Sequence, residues 1–316
     1  MRKMYRPDLM PMTLTSMRAK KIPDCRWSIP KDVVTCQAPA EETAANLWRI
    51  KGLQNADHVS CYANATIQCI LHCKTLRDHL LRQNEIDDVL RTLINDYANS
   101  EDPVNVYTAR RLAGEQFTAN KRQDASEFLT GLISNHNDLS TIVEHQLTIK
   151  LLCKNCGYTN TLIERSIILS LALPKLCKKT PRLSDIFNDN LSHWKTVKGS
   201  CGTCKSEEMC AKTEILSLNS CLIIQLMLFS IKNGEVMKSN NYSIKAVPTE
   251  KIMICAKSYK VDSAIFHHGR NITEGHYTSM LREGTFAWVN ANNENIRKQT
   301  WPRNAKDGYI FFLRQI

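Results

Sequence analysis

Residues 60–70 read SCYANATIQCI, and the reading of the whole chain turns on whether Cys61 is a nucleophile or a small buried residue. Ser60 is a residue type that favours a helix N-cap, and Ala63, Ile67, Ile70 and Leu71 fall on one face of the helix that follows. A catalytic thiol must ionise near neutral pH, and the partial positive charge at a helix N-terminus favours the thiolate. Cys61 stands in that first turn, whereas Cys69 and Cys73 lie further along the helix and lack the advantage. Position alone leaves both readings open, because free cysteine is among the most buried residue types. Nucleophilic chemistry also needs a histidine, a group that orients it and donors for an oxyanion.

The C-terminal half offers these partners. EGHYTSMLREGTFAWVNANNENI (274–296) sets His276 directly after Gly275 at the start of a β-type run. Glycine there lets backbone and substrate approach closely. Asn292 and Asn293 follow on the next β-type element, where a hairpin brings one of them to the imidazole to fix its tautomer and aim it at the thiol. His267 and His268 read as structural.

The totals frame this reading. With 316 residues, 43% apolar and 23% charged, the chain has the composition of a soluble globular protein of one large domain or two modest ones. The longest apolar run, CLIIQLMLF (221–229), is too short to span a bilayer, and the basic N-terminus has no apolar segment of signal-peptide length. Thirteen cysteines, an odd number spread over a long chain, suit a reducing compartment better than a disulfide framework. The expectation is a protein of the cytoplasm or, second, the nucleus, in which the sequons at Asn64, Asn241 and Asn271 are chance matches. The formal charge of +11 favours acidic surfaces. Without a phosphate-cradling motif or interleaved aromatic and basic residues it reads as a solvated face, with no specific nucleic acid as partner.

Residues 1–48 carry Pro7, Pro11, Pro23, Pro30 and Pro39 and little apolar periodicity, which reads as a flexible basic extension. From there to residue 316 the chain forms one domain. IDDVLRTLINDYA and DASEFLTGLI (124–133) repeat the helical pattern of the Cys61 stretch. TIVEHQLTIKLLC, CLIIQLMLF, KIMICAK, YKVDSAIFH, HYTSMLR, TFAWVN and GYIFFLRQ are short β-rich runs separated by turn residues. Helices first and antiparallel strands later imply an α+β architecture with a cleft between the two parts.

Two Cys-x-x-Cys pairs, CKNC (153–156) and CGTC (201–204), fall in the β-rich half. Cys153, Cys156, Cys201 and Cys204 suffice to surround zinc tetrahedrally with thiolates, a closed and hence structural site. A glycine follows the first pair and lies within the second, as a tight metal-binding knuckle needs. Cys210 is a possible substitute ligand, and no organic cofactor is expected.

GLQNADHVSCYANATIQCI resembles the cysteine box of the ubiquitin-specific proteases, and GHYTSMLREGTFAWVNANNENI with the closing GYIFFLRQI resembles their histidine box. Between them, RQDASEFL (122–129) is similar to the family's Gln-Asp-Ala-x-Glu-Phe segment. The resemblance covers roughly residues 52 to 316. It implies a papain-like fold with a helical thumb, a β-rich palm and fingers (roughly 145–230) that carry a split four-cysteine zinc site at their tip. It implies a monomeric deubiquitinating thiol protease acting on ubiquitin and ubiquitinated proteins, cutting after the C-terminal glycine of ubiquitin. By position, Cys61 is then the nucleophile, His276 the general base and Asn292 the orienting residue, with Asn293 as the fallback. Asp124 and Glu127 match acids that meet ubiquitin's basic tail and, one helical turn apart, share a face. Gly275 and Tyr277 flank the histidine on the substrate side.

The approach to Cys61 departs from the family pattern. An asparagine five residues before the cysteine usually helps form the oxyanion hole; here Asn55 stands six before, Ala56 is fifth, and Asp57-His58 replace a glycine region. Either a bulge returns Asn55 to register, or His58 or backbone N–H groups serve the oxyanion. Loss of one such donor costs on the order of 10²–10³ in rate. The departure therefore carries a second expectation, an inactive ubiquitin-binding scaffold on the same fold, beside a third, a protease for another ubiquitin-like modifier.

Overall fold

The helical stretches of the first half fold around one buried helix. A computed structural model describes residues 48–316 except 84–86, 175–179, 192, 233–234, 240–243, 246–250, 272–274, 285 and 303. Contacts divide the chain into Met1–Ala45 and Asn46–Ile316, and everything described here belongs to the second unit. The expected extension, 1–48, lies outside the described residues but for Trp48, as do Ile86 and the sequon residue Asn241.

The helices are α1 (Cys61–His72), α2 (Lys74–Arg82), α3 (Asp88–Asn99), α4 (Ala125–Ser134) and α5 (Asn137–Val143), with 3₁₀ turns at Thr108–Ala113 and Glu115–Phe117. α1 is buried on every side from Cys61 to Leu71, not on one face as its apolar spacing suggests. Its polar residues find partners, as burial requires. The Asn64 amide donates to the Gln54 carbonyl (3.1 Å), Thr66 donates to the Tyr62 carbonyl (2.8 Å), and the Tyr97 hydroxyl donates to Gln68 (2.8 Å). With Asn64 only 2% exposed, its sequon has no room for a glycan.

The chain continues through β1 (His145–Cys153), β2 (Thr159–Ser166), β3 (Leu169–Leu171), α6 (Leu183–Leu191), β4 (Lys195–Val197) and β5 (Met209–Ser217). Next come β6 (Cys221–Leu226), β7 (Phe229–Lys232), β8 (Glu235–Lys238), β9 (Ile244–Lys245), β10 (Lys251–Ile254) and β11 (Lys257–His268). The last strands are β12 (His276–Arg282), β13 (Trp288–Asn292), β14 (Asn295–Gln299), β15 (Asn304–Ala305) and β16 (Gly308–Gln315). They make a four-stranded antiparallel sheet, β2-β1-β5-β4, and an eight-stranded sheet, β14-β13-β12-β11-β16-β6-β3, with β10 on β11. The β-rich runs of the sequence are largely strands, though Cys255 and Ala256 turn between β10 and β11 and TFAWVN enters β13 only at Trp288. Thr141–Val143 end α5, where Leu139 and Val143 bury one helical face, and CLIIQLMLF breaks after Leu226.

α1 packs against β11, β12 and α4. Its apolar side chains join the inner face of the large sheet in one core, which includes Tyr62, Phe117, Phe128, Ile265, Trp288 and Phe311. That packing places the start of α1 beside the start of β12 and the end of β13. Among the described residues no helix is long and apolar enough to cross a membrane.

Candidate active site and a four-cysteine centre

The extra residue before Cys61 is absorbed in a turn. The His58 N–H donates to the Asn55 carbonyl (3.0 Å), with His58 at φ +58°, a conformation tolerated in tight turns. Asn55 thereby folds back on the helix start, its Oδ1 accepting the Ser60 N–H at 2.9 Å. The turn draws Asn55 back to the helix start, and His58 is exposed. Ser60 occupies the N-cap position, but its side chain makes no cap bond. Its hydroxyl instead donates to Asp57 (2.9 Å) and accepts from Arg110 Nη1 (3.0 Å). The first-turn N–H groups of α1 are thus left without a side-chain cap at the edge of the cleft.

Asp57 and Arg110, which no motif announced, hold this turn. The Asp57 carboxylate accepts from the Val59 N–H (3.2 Å), the Ser60 N–H (3.1 Å), the Ser60 hydroxyl and Arg110. Burial alone would raise its pKa; these donors and the guanidinium outweigh burial and hold it below the ordinary value. Arg110 is fully buried and also donates to the carbonyls of Phe117 (2.6 Å) and Ala119. Asp57, three residues before the N-cap position Ser60, forms a local capping pattern. Arg110 lies in a 3₁₀ turn and gives no comparable signal.

Cys61, His276 and Asn292 come together. The His276 pKa is raised chiefly by its hydrogen bond with Cys61; burial opposes this and Asn292 adds to it. His276 Nε2 lies 2.7 Å from Asn292 Oδ1. An amide oxygen only accepts, so Nε2 carries the hydrogen and Nδ1 is left to take the thiol proton. Cys61 is 4% exposed. Burial pushes the Cys69 thiol well up, which leaves it inert.

Of the two asparagines, Asn293 serves the scaffold. At φ +52° it turns the β13–β14 hairpin, its carbonyl accepts the Leu53 N–H (3.0 Å), and its Oδ1 accepts from Asn64 (2.9 Å). Glu294 accepts the Asn55 N–H at 2.6 Å, and a Cβ on Gly52 would fall 2.6 Å from the Glu294 carbonyl. This close docking of the approach segment on the hairpin brings Asn55, Cys61 and Asn292 to one place.

The expected substrate-facing residues separate. Glu127 is exposed, but Asp124 is 6% exposed and faces inward, so the two share no open face. Asp124 caps α4 through the N–H groups of Ser126 (2.8 Å) and Glu127 (3.1 Å) and accepts the hydroxyls of Tyr277 (2.9 Å) and Tyr309 (3.0 Å). Burial and the Asp124 charge push both tyrosines up, so both hydroxyls stay protonated as donors. Tyr277 is therefore spent on the cap. Gly275 has a packing role: a Cβ there would lie 1.8 Å from His267 Nε2. His267 is fully buried and ringed by Phe229 and Tyr277, and burial drops its pKa to about 4, which leaves it neutral.

At the outer end of the four-stranded sheet, the sulfurs of Cys153, Cys156, Cys201 and Cys204 all lie within 4.8 Å of one another. Cys153–Cys204 and Cys156–Cys201 stand at 3.6 and 3.7 Å. Thiolates about 2.3 Å from a tetrahedral zinc are separated by roughly 3.8 Å, so the set fits the metal. The two knuckles are alike. Gly157 N–H donates to the Cys153 carbonyl and Lys205 N–H to the Cys201 carbonyl, both at 3.0 Å, and both donors have positive φ, +72° and +60°. The left-handed residue of the second knuckle is thus Lys205; the glycine within the pair, Gly202, has open space around it and no such φ. The N–H groups of Cys204 and Thr203 pull the Cys201 thiol down to about 6, toward the ligand form. Cys210 is buried outside the cluster.

A cysteine at an uncapped helix start has an imidazole on it and an amide behind the imidazole, the residue types that nucleophilic thiol chemistry uses. The model of the ubiquitin carboxyl-terminal hydrolase family matches residues 51–313, and the chain belongs to that family. Human ubiquitin carboxyl-terminal hydrolase 2 is 21% identical over 83% of this chain and 54% of its own length. The probable ubiquitin carboxyl-terminal hydrolase 9 of Schizosaccharomyces pombe is 26% identical over 59% of this chain and 36% of its own. The chain spans about half the length of the first of these relatives. Among solved structures, the SAGA DUB module Ubp8/Sgf11/Sus1/Sgf73 bound to monoubiquitin has a TM-score of 0.69 at 18% identity, covering 84% of this chain and 69% of that one. The same module bound to ubiquitin aldehyde scores 0.65. The likeness establishes the α+β, papain-like fold of the ubiquitin-specific proteases.

Proposed function

We propose that the chain is a cysteine-type deubiquitinase that hydrolyses the bond after the C-terminal glycine of ubiquitin in ubiquitinated proteins. The observation that carries the reading is the hydrogen-bonded series from Cys61 through His276 to Asn292 at the head of a buried helix.

His276 takes the Cys61 proton and the thiolate attacks the glycine carbonyl carbon, forming the C–S bond and an oxyanion. The uncapped N–H groups at the start of α1 face the developing charge, with the Asn55 amide as their side-chain complement. The oxyanion collapses, the imidazolium protonates the departing lysine amine, and a thioester remains. His276 then takes a proton from water, which attacks the thioester; Cys61 leaves as thiolate and recovers its proton. Asn292 holds the ring in one tautomer throughout but supplies no charge, so the thiolate–imidazolium pair leans on the helix terminus. Glu127, exposed on the first turn of α4, meets the basic tail of ubiquitin. Zinc bound by the four cysteines is structural: it closes the two knuckles into one unit and takes no part in the chemistry.

Hydrolysis of ubiquitin carrying a fluorogenic C-terminal amide tests this reading. The zinc-loaded chain releases the fluorophore, and Cys61→Ala or His276→Ala abolishes release while the fold persists. Release that survives Cys61→Ala contradicts the proposal.

A further inference from the structure

At the far end of α1 from Cys61, about 17 Å away at 1.5 Å per residue, side chains rich in Lys and Arg converge from five elements. They line a recess of about 340 Å³: His72 ends α1, Lys74 and Arg77 begin α2, and Lys260, Arg282 and Arg314 come from β11, β12 and β16. Two carboxylates, Asp262 and Glu283, share the lining with five Lys and Arg side chains.

The sheet beneath the recess stacks like charge. Lys251 is the direct cross-strand partner of Lys260, and Lys260 is the direct partner of Arg314, so three cations stand in a row on one face. Like charges directly opposite one another destabilise a sheet, and a fold retains such a row at a cost unless an anion relieves it. Burial, Arg282 and Arg314 together lower the Lys260 pKa, as expected where positive charge accumulates. The available acids cancel the set only in part. Asp262 is taken by Arg314 (2.8 Å), Glu283 faces Lys298 (3.5 Å), and Asp78 is shared by Lys74 (2.7 Å) and Arg77 (3.8 Å). α2 also opens on the recess without a side-chain cap, which adds backbone donors and the positive end of its dipole. Arg282 is held in place by its bond to the Val261 carbonyl (2.6 Å) and by Trp288, 4.3 Å beneath it, so its fork is pre-oriented.

We propose that this recess binds a compact polyanion, a small molecule bearing two or more phosphoryl groups. A compact anion can meet all five Lys and Arg side chains around the one open recess, whereas an extended acidic peptide would run past them. A polyphosphate packs about four negative charges into such a volume, and guanidinium forks match phosphoryl oxygens bidentately. The binding is separate from hydrolysis, since the recess shares no residue with the Cys61 site.

Inorganic tripolyphosphate is the probe, read by calorimetry and by melting temperature at 0.15 M salt with the full chain. The parent is expected to bind it and to melt at a higher temperature in its presence. In Lys74→Gln/Lys251→Gln/Lys260→Gln, affinity falls at least tenfold and the melting shift disappears. Without anion this variant melts no lower than the parent, because the like-charge row is relieved. Lys150→Gln/Lys195→Gln/Lys212→Gln, an equal charge change on the four-stranded sheet, leaves binding intact. Soluble inositol hexakisphosphate and vesicles displaying a phosphorylated inositol headgroup then compete against the probe, and whichever displaces it at lower phosphate concentration identifies the source. No binding, equal loss in the two triple variants, or displacement by a glutamate-rich peptide as readily as by polyphosphate overturns the proposal.

Discussion

The two chemical centres of this chain are stabilised in opposite ways. The cleft around Cys61 rests on the large core, in which α1 is walled in by β11, β12 and α4, and its parts come from both ends of the sequence. The four-stranded sheet has a far smaller cluster, Cys153, Cys201 and Met209 with Leu151, Val197 and Cys204 against it, and β2 is exposed almost throughout. Where hydrophobic burial is sparse, the cysteines themselves make up much of the core. One centre therefore follows from long-range packing and the other from two local knuckles whose four sulfurs fit a metal ion.

Metal removal gives the largest expected effect and tests that contrast first. Structural zinc contributes on the order of 10–16 kcal/mol to small sites that are unfolded without it. Chelation is expected to bring amide exchange in β1, β2, β4 and β5 near the rate of an unfolded chain, while α1 and β11 keep their protection. Unchanged protection in the four-stranded sheet would show that it has another source of stability.

Arg110→Ala probes the cleft. Removing one partner of a buried ion pair costs about 3–5 kcal/mol, because the other groups are left unsatisfied. Here those are Asp57 and the carbonyls of Phe117 and Ala119. Denaturant unfolding is expected to show that loss, and kcat/KM to fall with it as Asn55 loses its register. A loss below about 1 kcal/mol would mean that the turn before Cys61 holds itself.

Asn292→Ala is subtler. One hydrogen bond of about 1 kcal/mol predicts a fall in kcat/KM of up to roughly tenfold. Asn292 helps raise the His276 pKa, so its loss lowers that pKa, and the imidazolium is lost at lower pH. The alkaline limb of the pH–rate profile is expected to move down while the acid limb stays. The linked stability has the same sign: with its folded pKa raised, His276 contributes fully below its ordinary value near 6.5 and loses the contribution as pH rises through the folded pKa. An unmoved alkaline limb would remove Asn292 from the account.

What was legible in the sequence follows the same division. Cys61, His276 and Asn292, and the two Cys-x-x-Cys pairs, each stand in short motifs whose local geometry the backbone keeps. The burial of Asp124 was not legible, because Tyr277 and Tyr309 reach it from strands more than a hundred residues away. The role of Gly275 depends equally on a long-range neighbour, His267, across the β11–β12 pairing. Lys205 takes the left-handed turn that a glycine count assigned to Gly202, since the knuckle geometry sets which position needs it. The basic recess drew on Lys74, Lys260, Arg282 and Arg314, which are scattered in sequence and looked like solvated charge.

The most direct measurement is labelling of the zinc-loaded chain by ubiquitin bearing a thiol-reactive C-terminus, with the adduct located by mass spectrometry. The account predicts one adduct, on Cys61, lost in Cys61→Ala and strongly slowed in His276→Ala. A folded, zinc-loaded chain that binds ubiquitin but forms no adduct would contradict it.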